Sequence, residues 1–334
     1  MQGRATSAAM PDVQLEDPLT DDDLHLSLHC LYDLSYRGFA DVAPRFERDP
    51  ALLEMRNTLE DLFWVAVQED SRRGGGRHFE TLARTDGPGF AVDAMLESFD
   101  GPSLSLFVEQ RATRRQFQEF LIHRAAYQLK EADPHTIGLA RLSSGARKSA
   151  VATIQFDEYG SGRASRSHAE LFAAALRAAG LQAGYGAYLD RLPGTTLATG
   201  NLLSLFASRR ELIAPLIGHL ALFEMTSVVP MGRYARAADR LGFGLSVRDF
   251  YDVHVVADEY HGRLGRQVLL GDGSDGDELD PTELVIGAHT LLRAEDRFTR
   301  AVLDHWSHGC TSLRPPARNR SPVIGFGSGA VAAG

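Results

Sequence analysis

His254-Val-Val-Ala-Asp258-Glu-Tyr-His261 is the stretch on which the reading of this chain turns. In a helix, residues four and seven positions beyond the first lie about 40° and about −20° round the axis from it, so His254, Asp258 and His261 share one face. Phe250, Val253, Val256 and Ala257 belong to the same stretch, so the polar triplet can be directed into a helical bundle. Burying three such groups without partners costs several kcal/mol, and a metal ion is the usual partner. A solvated His/Asp face is the competing reading, and the triplet alone does not choose between them.

Helical periodicity extends outward from this segment. The spacing predicts helices over about 145–159, 166–179, 209–228, 247–270 and 282–307, with Ser246 and Asp249 forming a capping-box-like start and Asp280-Pro281 another. Gln116 to Glu131 keeps Phe117, Phe120, Leu121, Ala125 and Gln128 on one face and closes on Pro134, which disfavours helix at Asp133. Upstream, Thr20 caps a helix carrying Leu24, Leu28, Leu31 and Leu34 that stops at Gly38. Asp49-Pro50 opens a second helix, running towards Glu69 and a loop at Gly74-Gly75-Gly76. Strand signals are nearly absent, and the chain is all-α.

Composition narrows the function. The 334 residues are 44% hydrophobic with net charge −9, no basic face and acids among the arginines, so nucleic acid is not an expected partner. Cys30 and Cys310 are too few for a disulfide framework, and a reducing cytoplasm is the expected compartment. No stretch reads as long and apolar enough to cross a bilayer, and the N-terminus lacks the pattern of a signal peptide.

Three further segments carry acids or histidines in apolar surroundings. Glu224 lies in Leu220-Ala-Leu-Phe-Glu224-Met225, where an unpaired carboxylate is costly. Glu158 ends Gln155-Phe-Asp-Glu158-Tyr-Gly160, and His168 begins an apolar helix ten residues later. Ten residues leave about 80° between two helical side chains, but Gly160-Ser-Gly162 permits a break that can re-aim them. Glu131, in Glu131-Ala-Asp-Pro-His135-Thr, reads by itself as an exposed helix-terminal acid.

Taken together, these segments and the run Asp23-Leu-His25-Leu-Ser-Leu-His29-Cys30-Leu-Tyr-Asp33 resemble the haem-oxygenase-like diiron oxidases, the iron-containing redox enzymes. The resemblance covers roughly residues 20–310. It implies a haem-oxygenase-like bundle of about seven core helices plus extra N-terminal helices, with iron ions held by carboxylates and histidines in place of haem. The ligand set it implies is Glu158, His168, Glu224, His254, Asp258 and His261, with Glu131 as an additional carboxylate. The expected organisation is a flexible 1–19, one domain over 20–312 in which helices of 20–112 pack on a metal-binding core of 113–312, and a flexible tail over 313–334.

The four carboxylates would neutralise two Fe(II) ions while three imidazoles fill further positions, and mixed O and N ligation suits iron and O2 chemistry; a mixed Mn/Fe pair is the alternative. The activity implied is O2-dependent oxidation of a small molecule such as an amino acid, amine or fatty acid, by N-hydroxylation, desaturation, oxidative decarboxylation or C–C cleavage in secondary metabolism. An external electron donor and a homodimer built on the N-terminal helices are the expected partners. Phe223, Ser227, Met231, Tyr251, Val255 and Tyr260 are candidate pocket residues, Arg163 and Arg166 candidate carboxylate binders, and Tyr159 a candidate partner of a metal ligand. A non-catalytic iron-binding protein on the same scaffold is the rival reading. A haem oxygenase using His25 or His29 gives the interior carboxylates no purpose, and a Cys30 nucleophile lacks an identifiable base.

Overall fold

The computed structural model describes residues 15, 17–271 and 279–316. Most of the segments expected to be flexible, 1–19 and 313–334, lie outside the described residues. Within them, Leu19 and Leu313 are buried, and the Arg314 amide donates to Arg191 O at 2.9 Å.

The chain order is α1 (Asp22–Tyr36), α2 (Pro50–Arg73), α3 (Gly76–Asp86), α4 (Pro88–Ser98), α5 (Leu104–Gln110), α6 (Arg114–Gln128), α7 (Asp133–Leu139), α8 (Ala146–Glu158), α9 (His168–Ala178), α10 (Gly194–Ser208), α11 (Ile213–Arg240), α12 (Leu245–Leu264) and α13 (Pro281–Ser307). No strand occurs among the described residues.

Local chemistry sets most boundaries. Asp49 caps α2 through the Ala51 and Leu52 amides with Pro50 at the first helical position, and Asp280 caps α13 through Thr282 N. In α1 the cap is Asp21, which accepts from Leu24 N at 2.7 Å, whereas Thr20 is held by Asp17. The expected cap at Ser246 is not used: α12 starts after Gly244 without a side-chain cap, and Asp249 pairs with Arg166. Asp133, expected to leave the helix before Pro134, instead opens α7, because a proline in the first turn has no hydrogen bond to lose.

Two departures concern α11. It continues past the expected end at residue 228 to Arg240 with Pro230 inside it. A proline there costs about 3 kcal/mol in an isolated helix, and packing against α12 and α13 along its length outweighs that. The segment Arg210–Arg240 is also long and apolar enough to cross a membrane by length and composition, contrary to the expectation, but 67% of its most apolar window is buried inside the bundle. That apolarity is what a central helix needs.

α11 is the axis of the molecule, with α12 and α13 laid along it. Gly218 and Gly287 make the α11–α13 crossing reciprocal: a Cβ on Gly218 would meet Leu284 O, and one on Gly287 would meet Pro215 O. Phe117, Phe172, Phe250 and Phe298 fill the core among α6, α9, α12 and α13, each contributing roughly 2 kcal/mol by burial. The N-terminal helices α1 and α2 close a separate apolar cluster against α10 through Leu28, Phe63, Leu202 and Phe206.

Candidate metal centre

The turn between α8 and α9 aims two of the side chains. Gly160, Ser161 and Gly162 take φ of 81°, 52° and 82°, three successive left-handed residues that end α8 at Glu158. A Cβ on Gly160 would lie within 3 Å of the Arg163 carbonyl oxygen and the Ser167 nitrogen, so only glycine fits. Ser167 then caps α9, which begins with His168. The break foreseen between Glu158 and His168 therefore brings His168 Nδ1 to 2.7 Å from Glu158 Oε2.

The other side chains come from three more helices. Glu131 occupies the turn after α6, Glu224 the middle of α11, and His254, Asp258 and His261 one buried face of α12. Gly262 lets α12 approach α11 at this level, since a Cβ there would stand 3.2 Å from Glu224 O. All seven residues named from the sequence are buried.

They form two overlapping groups. Glu131, Glu158, His168 and His254 each offer one donor atom within 4.8 Å of the others, and so do Glu158, Glu224 and His261. Donor atoms around one ion at about 2.1 Å lie at most about 4.2 Å apart, so each group needs only a small contraction to hold a metal. Glu158 belongs to both. Asp258 stands outside both groups, but its Oδ1 lies 3.5 Å from His261 Nδ1.

Hydrogen bonds fix which nitrogen of two rings faces inward. His254 Nδ1 lies 2.7 Å from Phe250 O, so it carries the proton and leaves Nε2 to the centre, where it stands 3.6 Å from Glu131 Oε2. His261 Nε2 donates to Asp157 Oδ2 at 3.1 Å, leaving Nδ1 towards Glu224 Oε2 at 3.4 Å. Ser161 in turn donates to Asp157 Oδ1 at 2.7 Å, so the left-handed turn also helps to orient His261 in the cluster. The Gln128 amide, oriented by its neighbours, donates to both oxygens of Glu131 at 2.7 Å.

The donor set fits a metal on a direct structural test. Glu158 Oε2 and His168 Nδ1, close but not aligned as a hydrogen bond, and His254 Nε2, Asp258 Oδ1 and His261 Nδ1 are buried atoms without a hydrogen-bond partner. Such atoms are costly unless something else satisfies them. Without metal, protons take that part. Burial and the neighbouring Asp258 and Glu158 push Glu224 up to about 8. Burial disfavours the charged rings of His254 and His261, yet the surrounding carboxylates raise them to about 10 and about 11. Burial and Glu158 likewise raise Glu131, whereas His168 outweighs burial to hold Glu158 below its ordinary value.

Residues 118–296 match the model of the iron-containing redox enzyme family, and this span contains all seven side chains. The chain belongs to that family. Its all-α, haem-oxygenase-like fold follows, and the buried His/Glu cluster is its candidate iron site. No curated protein matches the chain.

Neighbouring residues divide. Phe223, Ser227, Met231 and Tyr251 line a cavity of about 250 Å3, whereas Val255 is not among its lining residues and Tyr260 is exposed. Arg166 is engaged by Asp249 at 2.8 Å, and Tyr159 bonds Thr136 and Asp133 rather than any of the seven. Asp157 and Gln128 carried no sequence signal of their roles, because a partner behind a ligand has no spacing rule. His135, Gln155 and Tyr127 also line the candidate metal chamber. His25, a rival haem ligand, is instead buried beside Asn201 and Phe63.

Proposed function

We propose that the protein is a non-haem diiron oxidase or oxygenase that uses O2 to oxidise a small molecule. The observation that carries this reading is the pair of donor groups sharing Glu158, the arrangement two adjacent ions need to have one carboxylate between them. Glu131, His168 and His254 would hold one iron and Glu224, His261 and Asp258 the other. With two Fe(II) bound, the four carboxylates would leave the interior without net charge.

Bound iron would supply the electrons that O2 needs, a task for which amino acid side chains have no equivalent. The chain's own residues do the rest. Asp157 and Phe250 O hold two imidazoles in the tautomers that leave a lone pair inward, and Gln128 steadies Glu131. Tyr127 and Phe223 stand between the chamber and the 250 Å3 cavity, which offers a largely apolar place for substrate beside the centre. Turnover would draw on an external electron donor.

The non-catalytic iron-binding reading gives this adjoining cavity no task. Anaerobic Fe(II) reconstitution with metal counting, followed by rapid mixing with O2, tests the proposal. We expect about two metal ions per chain, with the Fe-to-Mn ratio read in the same assay, and an O2-dependent absorbance change. Saturation at one ion or fewer, or no reaction with O2, would sink it.

A further inference from the structure

The cavity beside the metal chamber has a charge pattern that the oxidase reading does not use. Its lining includes two fully charged side chains, Arg124 and Glu295, and they are spent on each other: Arg124 Nη1 and Nη2 donate to the two Glu295 oxygens at 2.8 and 2.6 Å. The guanidinium also lies over the Phe298 ring, 4.5 Å from its centroid. A paired, stacked arginine of this kind has little left to offer a second carboxylate. A substrate anion would have to break the pair and strand Glu295 beside it, and an ammonium ion would strand Arg124. His219, the histidine of the wall, is kept neutral by burial, which lowers its pKa to about 3, and burial raises the tyrosines Tyr127, Tyr234 and Tyr251 so that they stay neutral as well.

Two further features give the ligand shape and one polar feature. Arg124, Tyr127, Gln128 and Glu131 follow each other along one side of α6 and the turn after it. Four residues of helical rise, about 6 Å, separate Arg124 from Gln128, and the turn carries the chain on to Glu131, so the ion pair stands on the order of 10 Å from that candidate ligand. The walls between are mainly aromatic and aliphatic, with Phe120, Phe172, Leu203 and Phe250 among them. Tyr251 is part of the lining, and its hydroxyl is packed away from the open space, fully buried and without a hydrogen-bond partner. A turn of the ring into the cavity would give that unpaired phenol a carbonyl or hydroxyl oxygen to donate to.

We propose that this cavity selects an uncharged, elongated molecule, apolar over about 10 Å and bearing one hydrogen-bond acceptor for Tyr251, and that it discriminates against both fatty-acid anions and alkylammonium ions. The inference rests on the reading of the adjoining chamber as the oxidising centre. It assigns Arg124 and Glu295 as specificity-determining residues that keep the pocket electrically closed.

Three probes of one chain length test it: decanamide, decanoate and decylammonium, titrated at pH 7.5 into the full chain by calorimetry, with iron counted on the same samples. Decanamide should bind at least about tenfold more tightly than either ion. Glu295→Gln removes the partner of Arg124, so decanoate should gain about tenfold or more while decanamide changes by less than about threefold. Should that variant lose its helical circular dichroism, Tyr251→Phe serves instead, and decanamide should weaken by about tenfold.

Decanoate binding wild type as tightly as decanamide, an unchanged order in Glu295→Gln, no loss in Tyr251→Phe, or no binding of any probe overturns the proposal. A sample with two irons and the wrong order defeats this inference alone. One with the expected order and no iron defeats the oxidase reading alone.

Discussion

Lys130 and Glu131 are neighbours in sequence, both are buried, and they enter two different polar clusters. On the Lys130 side, its Nζ donates to Asp33 Oδ1 at 2.9 Å, Tyr185 donates to the same oxygen at 2.7 Å, and His29 stands 3.1 Å from Asp33 Oδ2. One cation meets one anion. Burial alone would raise the Asp33 carboxyl, but His29 and Lys130 hold it well below the usual carboxylate range. On the Glu131 side, four carboxylates and three imidazoles converge, and the chamber lining contains no lysine or arginine. The first cluster balances its own charge and ties α1 to the end of α6. The second has only carboxylates and imidazoles, so its charge is met by protons or by a metal ion in their place.

The largest effect should come from the residue the two donor groups share. Glu158→Ala should cut iron from about two ions per chain to less than about half an ion with circular dichroism intact; full iron loading in that variant would remove the basis of the two-group reading. The converse belongs to the closed cluster. Asp33→Ala strands the buried Lys130 ammonium and should cost about 3–5 kcal/mol in urea unfolding, while the folded fraction keeps its iron. If stability held and iron fell, the two clusters would not be separable.

Acid sharpens the contrast next. Burial pulls His25 and His289 down to about 4 and His123, His135 and His219 to about 3. Each folded pKa lies below the unfolded value, so the unfolded chain binds more protons between about pH 3 and 6.5, and stability falls as pH drops through that window. At pH 5 each such histidine should cost about 2 kcal/mol, read as a falling urea midpoint at constant slope. A midpoint flat from pH 7 to 5 would contradict this.

Smaller changes test the outer partners. Asp157→Asn keeps a side chain beside His261 but removes the acceptor's charge, and iron affinity should fall about 10- to 100-fold in a competition assay. Tyr159→Phe loses bonds to Thr136 and Asp133 only, so iron content should stay unchanged and stability should drop by about 1 kcal/mol or less. A clear iron loss there would place Tyr159 behind a ligand after all.

Much of this was legible in the sequence because it depends on local rules. The His254/Asp258/His261 face is a matter of helical period, and the cap at Asp280 depends on its immediate neighbours. Other elements were not legible. α4 and α10 are apolar segments whose faces become distinct only against α13, α11 and α1, whereas α3 is amphipathic and was hidden by the glycine run at 74–76, which leads straight into it. Pro230 argued for a helix end that packing overrode.

By itself the sequence determined the helical class, the break at Gly160-Ser-Gly162 and the residue types able to bind iron, since backbone geometry and ligand chemistry act at short range. Only the tertiary structure decided that Glu158 faces two groups of donors, that Asp157 and Gln128 stand behind His261 and Glu131, and that Arg124 is cancelled by Glu295, 171 residues away. Those are relations between helices. No periodicity within one helix encodes which side chain of another will meet it, because that pairing is set by how α6, α8, α11, α12 and α13 pack together.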